Sequence, residues 1–352
     1  MKKMSFQDNK NQKDPGPGKA NFLSIVFSFR NEEDVLEELI GRVRKVVQDL
    51  QQAGKLSGYE LIFVNDASVD NSLKILLEQA KSYNDIRIIN MSRCFGVSPC
   101  VMAGFAHAQG DWVVYMDADL QDPPELIPEL LDVHCQSKAD IVHTVRLSRK
   151  GESVGKLFFT RIGYFILNKT STINLPIEAG DFKFLSRRVV MNLLNLKEYN
   201  PFTRGLVCWV GFKQEFVTYH RQERKKGKTK FRVLSPSVIN NFLNSALISF
   251  SAVPLRIALL LGVVVILFDL ALFVHVIFEK LQGKAIPGWT AIMVAVLFMG
   301  GVQFLCMGFL GLYLYHIHEQ VRNRPNYIIE STYGFPSNVN GRQERLNASV
   351  YS

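Results

Sequence analysis

Trp112-Val113-Val114-Tyr115-Met116-Asp117-Ala118-Asp119-Leu120-Gln121-Asp122-Pro123-Pro124-Glu125 is an apolar run that ends in a burst of acids. Residues 112–116 read as a strand buried on both faces, because a parallel strand covered by helices above and below loses its polar alternation. Open α/β sheets bind ligands just beyond the carboxyl ends of their strands. Residues two apart in an extended chain point the same way, so Asp117 and Asp119 can face one ligand. A hard divalent cation takes one or two carboxylates together with phosphate oxygens. The pair predicts a site for a metal-bound nucleotide diphosphate.

Upstream, short apolar runs alternate with helical patterns. Phe22–Phe29, Tyr59–Val64 and Ile86–Met91 read as strands; Glu32–Gln52, Asn71–Ser82 and Val97–Ala108 read as helices. Asp70-Asn71 and Ser92 serve as helix-start signals, Asp70 as a capping acid, and Gly110-Asp111 as the turn into the fourth strand. The alternation predicts an α/β fold with a doubly wound, mostly parallel sheet. Residues 125–232 are mixed, with amphipathic, aromatic-rich Val154–Asn168 among them. No internal repeat at solenoid spacing is present.

The chain has 352 residues and a net charge of +9 from 41 basic and 32 acidic side chains. Much of that charge sits in Arg221–Arg232, a cluster suited to nucleic acid, an anionic membrane surface or a phosphorylated substrate. Cys94, Cys100, Cys135, Cys208 and Cys306 are scattered with no CxxC pair, which excludes a disulfide framework and a zinc site and points to a reducing compartment. Residues 1–20 are polar, lack the apolar core of a signal peptide and read as a disordered tail.

Two segments read as membrane spans. Ile257–Phe278 is apolar apart from Asp269 and His275, and Trp289–Tyr315 apart from Thr290 and Gln303. Both exceed the roughly 20 residues that cross a bilayer core. Asp269 can pair within the membrane, and His275 reads as an interface residue. The connecting loop Glu279–Gly288 carries Lys280 and Lys284, whereas Arg221–Arg232 precedes the first span and Arg322 and Arg324 follow the second. The positive-inside rule then puts the soluble domain and both termini in the cytoplasm. Nucleic-acid binding is not expected, since a basic run beside a span is explained by the membrane surface. The organisation expected is a tail (1–20), a catalytic domain (21–232), a juxtamembrane amphipathic helix (233–256), two transmembrane helices (257–317) and a cytoplasmic tail (318–352).

Three motifs carry a resemblance: Ser28-Phe29-Arg30-Asn31-Glu32-Glu33, Val64-Asn65-Asp66-Ala67-Ser68-Val69-Asp70, and the acidic block from Met116 to Glu125. Together they resemble glycosyltransferase family 2 with its GT-A fold. Gly180-Asp181-Phe182-Lys183-Phe184-Leu185, Phe202-Thr203-Arg204-Gly205-Leu206 and Arg221 to Phe231, followed by two spans, resemble the polyisoprenyl-phosphate glycosyltransferases, bacterial relatives of dolichol-phosphate mannose synthase. The likeness covers about residues 22–325. Ser28 stands where the family usually has proline, Arg30 where it has tyrosine, Asn65 where it has the first of two acids and Ala67 where it has glycine.

The resemblance implies that Asp66, Glu32 and Asp117 bind the nucleotide, Asp66 by accepting an N–H of the base. It implies Mg2+ or Mn2+ on Asp119, with Asp117 on ribose or metal-bound water, and Gln121 in the same loop touching phosphate or acceptor. Asp181 would orient acceptor or sugar. The partners implied are a nucleotide sugar, UDP-glucose by preference, and a polyisoprenyl phosphate at the cytoplasmic face of a bacterial plasma membrane; a homo-oligomer is also expected. Mannose, galactose, N-acetylglucosamine and aminoarabinose donors are alternatives, and inversion at the anomeric carbon is implied. A lipid phosphate, with a second pKa of about 6, attacks without a general base, so the enzyme's task is electrostatic. Arg146, Arg149, Arg221, Arg224 and Lys230 are the candidates to grip that phosphate. A processive polysaccharide synthase would need a QxxRW motif and more spans, neither of which is present. A catalytically silent binding protein would not need this set of acids and arginines.

Overall fold

The computed structural model describes residues 21–147, 179–199, 201–220, 253–282 and 288–335. Four parallel strands form its centre: β1 (Phe22–Phe29), β2 (Gly58–Asn65), β3 (Ile86–Met91) and β4 (Trp112–Asp117). Three strands extend the sheet beyond β4: β5 (Ile141–Arg146), β6 (Ala179–Ser186) and β7 (Gln214–Tyr219). β6 runs antiparallel to both β4 and β5, and β5 pairs parallel with β7. An eighth strand, β8 (Ile329–Tyr333), closes the other edge antiparallel to β3. The order is β7-β5-β6-β4-β1-β2-β3-β8.

Helices cover both faces, so the central strands are apolar throughout. α1 (Leu36–Gln52), α2 (Ser72–Ser82) and α4 (Ile127–Ser137) lie on one face. α1 buries Leu36, Leu39, Ile40, Val43, Val46, Val47 and Leu50, the three-and-four spacing of one helical stripe. α3 (Val97–His107), α5 (Arg187–Asn195) and α6 (Thr203–Trp209) lie on the other. α3 packs so close to β1 that a Cβ on Gly104 would stand 2.3 Å from Val26 Cγ1.

The seven elements expected between residues 22 and 117 are all present, four of them with a bound moved by one residue and two points differing more. α1 begins at Leu36, four residues later than its pattern suggested. The N–H groups of Glu32 and Glu33 are taken by the Ser72 hydroxyl and the Asp70 carboxylate, which hold this stretch as a loop. Ser92 does not start α3 either. Gly96, at φ 96°, precedes that helix, and its entry is held by the distant Asp66 carboxylate. The N-cap of α2 is Asn71 and not Asp70, which stands one residue earlier and accepts the Ser72 N–H at 3.1 Å.

Two long helices follow, α7 (Val253–Leu281) and α8 (Trp289–Val321). They touch through Phe268 and Phe298, and the Cys306 thiol donates to the Ala258 carbonyl at 3.3 Å. Among the described residues one segment, Phe298–Val321, is long and apolar enough to cross a membrane by length and composition. The end of α8 is fastened to the loop after α5. The Gln320 side chain bonds Tyr199 N–H and the Lys197 carbonyl, and Asn326 donates to the Glu198 carbonyl at 2.7 Å. Part of the segment expected as a tail thus returns as β8 and packs Tyr327, Ile329 and Phe335 onto the α3 face. Val154–Asn168, Val233–Ala252 and residues 1–20 lie outside the described residues.

Candidate active site

The strand order turns back between β1 and β4, and in open α/β sheets ligands bind outside the carboxyl ends of the strands at such a switch point. Each of the three loops leaving the carboxyl ends of β1, β2 and β4 contains a non-glycine residue in the left-handed region: Asn31 (φ 55°), Ala67 (φ 52°) and Leu120 (φ 57°). Such residues are uncommon and persist where the surroundings hold them. Leu120 is held by its buried side chain and by Asp119, whose Oδ1 accepts the Gln121 N–H at 3.1 Å. Ala67 occupies a conformation that glycine adopts freely, which accounts for the residue type usual at that position.

Asp117 ends β4, where Ser28 of β1 pairs with it and the Ser28 hydroxyl approaches its Oδ1 at 3.4 Å. Tyr115 pairs with Lys183 of β6, so the next positions on that face are Asp117 and Asp181. Register alone brings two acids 64 residues apart into one recess. Asp181 is well satisfied: Tyr115 Oη donates to its Oδ1 at 3.1 Å, Arg204 Nε donates to the same oxygen at 2.7 Å, and Arg204 Nη2 donates to Oδ2. Arg204 holds the Asp181 carboxyl well below the usual range despite burial. Among the described residues no arginine clamps Asp117 in this way. Burial, then the charges of Asp181, Asp119 and Asp122, push its carboxyl up to about 8, against the pull of Arg204. Lys183 is fully buried beneath, donating to the Gly180 carbonyl at 2.6 Å, and burial pushes its ammonium down to about 8 while Asp181 opposes.

A second polar knot lies alongside. Asp122 is wholly buried; Tyr219 donates to its Oδ1, and Arg146 Nη2 stands 3.5 Å from its Oδ2. Arg146 also donates from Nε to the Tyr219 oxygen at 3.1 Å, and Asp122 keeps its guanidinium above the ordinary value despite burial. A Cβ on Gly180 would meet that guanidinium at 2.9 Å, so the glycine lets β6 and Arg146 approach.

Asp66, expected at the base, lies at the tip of β2. Its Oδ1 accepts the Phe95 N–H at 2.6 Å; its Oδ2 accepts the Gly96 N–H and the Cys94 thiol, both at 3.1 Å. Arg30 Nη1 reaches the Cys94 sulfur at 3.0 Å. Glu32 lies on the neighbouring β1 loop. The structure therefore gathers Asp66, Glu32, Asp117, Asp119, Gln121, Asp181 and Arg146 at one edge of the sheet. Arg149, Arg221, Arg224 and Lys230 lie outside the described residues.

Sequence reasoning assigned no role to Arg204, Asp122, Tyr115, Tyr219 or Lys183. Tyr115 could have been found, since it stands two residues before Asp117 on the same strand face. Arg204 and Tyr219 meet their acids only through tertiary packing.

Among the described residues no three His, Cys, Asp or Glu side chains form a cage that could hold a metal ion unaided. The donor set nonetheless fits a cation that shares its shell with phosphate oxygens and water, as Mg2+ does. Asp117 is buried and feels the charges of Asp181, Asp119 and Asp122, so four carboxylates converge there.

Residues 24–194 match Glycosyl transferase family 2. An uncharacterized glycosyltransferase of Synechocystis sp. is 39% identical over 313 residues, covering 89% of this chain and 96% of its own. One of Bacillus subtilis is 36% identical, covering 92% and 98%. A prophage-derived bactoprenol glucosyl transferase of Shigella flexneri is 34% identical, covering 88% and 98%. The chain belongs to glycosyl transferase family 2. It is a glycosyltransferase built on a GT-A-like, mostly parallel α/β sheet.

Proposed function

We propose that the chain transfers glucose from UDP-glucose to a polyisoprenyl phosphate, undecaprenyl phosphate in a bacterial plasma membrane, with inversion at the anomeric carbon. The observation that carries this reading is the recess at the β1–β4 switch point, where Asp117, Asp119, Asp122 and Asp181 meet Arg204 and Arg146. The relatives named for bactoprenol glucosyl transfer support glucose and the lipid acceptor. The same chemistry with another sugar is the second reading, because the relatives at 39% and 36% identity are named as glycosyltransferases with no sugar specified.

Asp119, with Asp117, would hold Mg2+ or Mn2+. That ion supplies counter-charge to the diphosphate. Asp66 and Glu32 bind the nucleoside, and Asp66 keeps the loop at Cys94–Gly96 in place while accepting the base. Asp181, clamped by Arg204 and Tyr115, orients the sugar or acceptor. Arg146, Arg149, Arg221, Arg224 and Lys230 grip the acceptor phosphate, with bidentate forks where arginine supplies them. A phosphate oxygen of the lipid attacks the anomeric carbon, the bond from that carbon to the UDP oxygen breaks, and UDP leaves with the electron pair. No proton has to be removed from the nucleophile.

In this reading α7 and α8 both span the bilayer, and the catalytic domain and both termini face the cytoplasm. The apolar length of Phe298–Val321 and the fastening of the α8 end to residues 197–199 support it. The test uses the purified full chain with undecaprenyl phosphate, Mg2+ or Mn2+, and labelled UDP-glucose, UDP-galactose, UDP-N-acetylglucosamine or GDP-mannose. Label from UDP-glucose should enter extractable lipid and be released by mild acid. Absence of lipid-borne label with every donor would refute the reading; label from another donor alone would replace glucose.

A further inference from the structure

We infer that Glu330, on the strand that follows the last long helix, is a positioning residue for the nucleotide end of the site. The inference rests on the proposed placement of the nucleotide at the β2 tip.

A directional chain of hydrogen bonds links the two. Asn90 Nδ2 donates to Glu330 Oε2 at 2.6 Å; Asn65 Nδ2 donates to Asn90 Oδ1 at 2.7 Å; Asn65 Oδ1 accepts the Ser68 N–H at 3.0 Å. The Ser68 hydroxyl then accepts the Asn31 N–H at 3.0 Å, and Asn31 Oδ1 accepts the Val69 N–H at 2.8 Å. These bonds stitch together the loops after β1 and β2, which contain the strained residues Asn31 and Ala67 and flank Asp66.

An amide donates from one end and accepts at the other, whereas a carboxylate only accepts. Glu330 fixes the Asn90 amide with its NH2 outward and its oxygen toward Asn65. That in turn fixes Asn65, which is buried, with its oxygen toward Ser68. A buried amide turned the wrong way would leave the Ser68 N–H facing a donor, and a buried group without its partner is costly. β8 lies next to β3 and begins eight residues after α8 ends, so the last long helix and the base-binding loop are connected through side chains of three adjacent strands.

The polarity of the chain gives a test that a general packing defect would not mimic. Glu330→Lys presents a donor to a donor and should raise the KM for the sugar nucleotide about tenfold, the scale of one hydrogen bond, with kcat and the KM for the lipid phosphate nearly unchanged. Glu330→Gln can still accept and should stay near wild type. Asn90→Asp loses the bond to Glu330 but still accepts from Asn65, so by itself it leaves the Asn65 amide in its native sense. In the double variant Asn90→Asp/Glu330→Lys the lysine donates to a carboxylate that still accepts from Asn65, so the wild-type KM should be recovered. UDP binding by calorimetry on the same purified full-length variants should follow the KM changes. Equal donor KM in wild type and Glu330→Lys, or no recovery in the double variant, would overturn the inference. A wild-type protein that neither binds UDP nor transfers sugar would instead overturn the functional reading on which it rests.

Discussion

Arg204→Met removes the guanidinium that forks onto both oxygens of Asp181. Each charge-assisted bond contributes about 1.5–3 kcal/mol. Arg204 is a third exposed, which argues for the lower figure, so the pair together amounts to about 3 kcal/mol. If that energy serves to orient Asp181 during transfer, turnover should fall by about two orders of magnitude. The electrostatics move as well. Without its cation the Asp181 carboxyl rises toward the ordinary range, and Asp117, which Arg204 also pulls down, rises further. Arg204→Lys keeps the charge and loses the fork, so it should lie between the two, at about a tenfold loss. The assay is steady-state transfer to lipid phosphate, with a thermal melt of each variant to separate unfolding from lost chemistry. Turnover of folded Arg204→Met within threefold of wild type would refute the assignment of Asp181 and Arg204 as one working unit.

Other outcomes follow from the same geometry. His143 is buried, and burial followed by the Lys183 charge pushes its imidazole down to about 3. The fold therefore binds fewer protons than the unfolded chain below pH 6.5, and stability is lost as pH falls from there toward 3, by up to about 1.4 kcal/mol per unit. His143→Leu should flatten that decline in denaturant titrations at pH 7 and 4.5; an unchanged slope would contradict it. Arg221→Lys and Arg224→Lys should lower turnover sharply while leaving membrane association and nucleotide affinity near wild type, because a surface potential senses charge and not fork geometry; normal kinetics in both would leave Arg146 and Arg149 as the acceptor-site candidates. Cysteines placed in the Lys280–Gly288 loop should react with an impermeant reagent on intact cells, and labelling of the C-terminal segment instead would reverse the orientation.

The centre of the sheet could be read from the chain because β1, β2 and β4 are covered on both faces. Their apolar runs therefore mark them directly, and the ligand edge follows from where those runs end. β8 is different. It is a five-residue edge strand of mixed exposure, specified by pairing with β3 and by the Gly334 turn (φ 77°), and its own pattern is too short to declare it. Asp117 and Asp119 were visible as a spaced pair, but Asp122 reads locally as a turn acid before Pro123. Only the arrival of Tyr219, 97 positions later, makes it part of a buried knot. The late start of α1 has the same origin. Its amphipathic pattern extends to Glu32, yet the N–H groups there are claimed by Asp70 and Ser72 from another loop. Local pattern thus revealed the elements and the acids, while the partners that tune those acids depend on long-range register.

The most direct test of the central claim, that the acids at the end of β4 hold a metal-bound nucleotide, is UDP binding by calorimetry with and without Mn2+, in wild type and in Asp119→Ala. Wild-type protein should bind UDP tightly only with the ion, and Asp119→Ala should stay folded, lose that metal-dependent gain and lose nearly all sugar transfer. Equal UDP affinity with and without Mn2+ in wild type, or an Asp119→Ala variant that keeps both the metal dependence and the turnover, would contradict it.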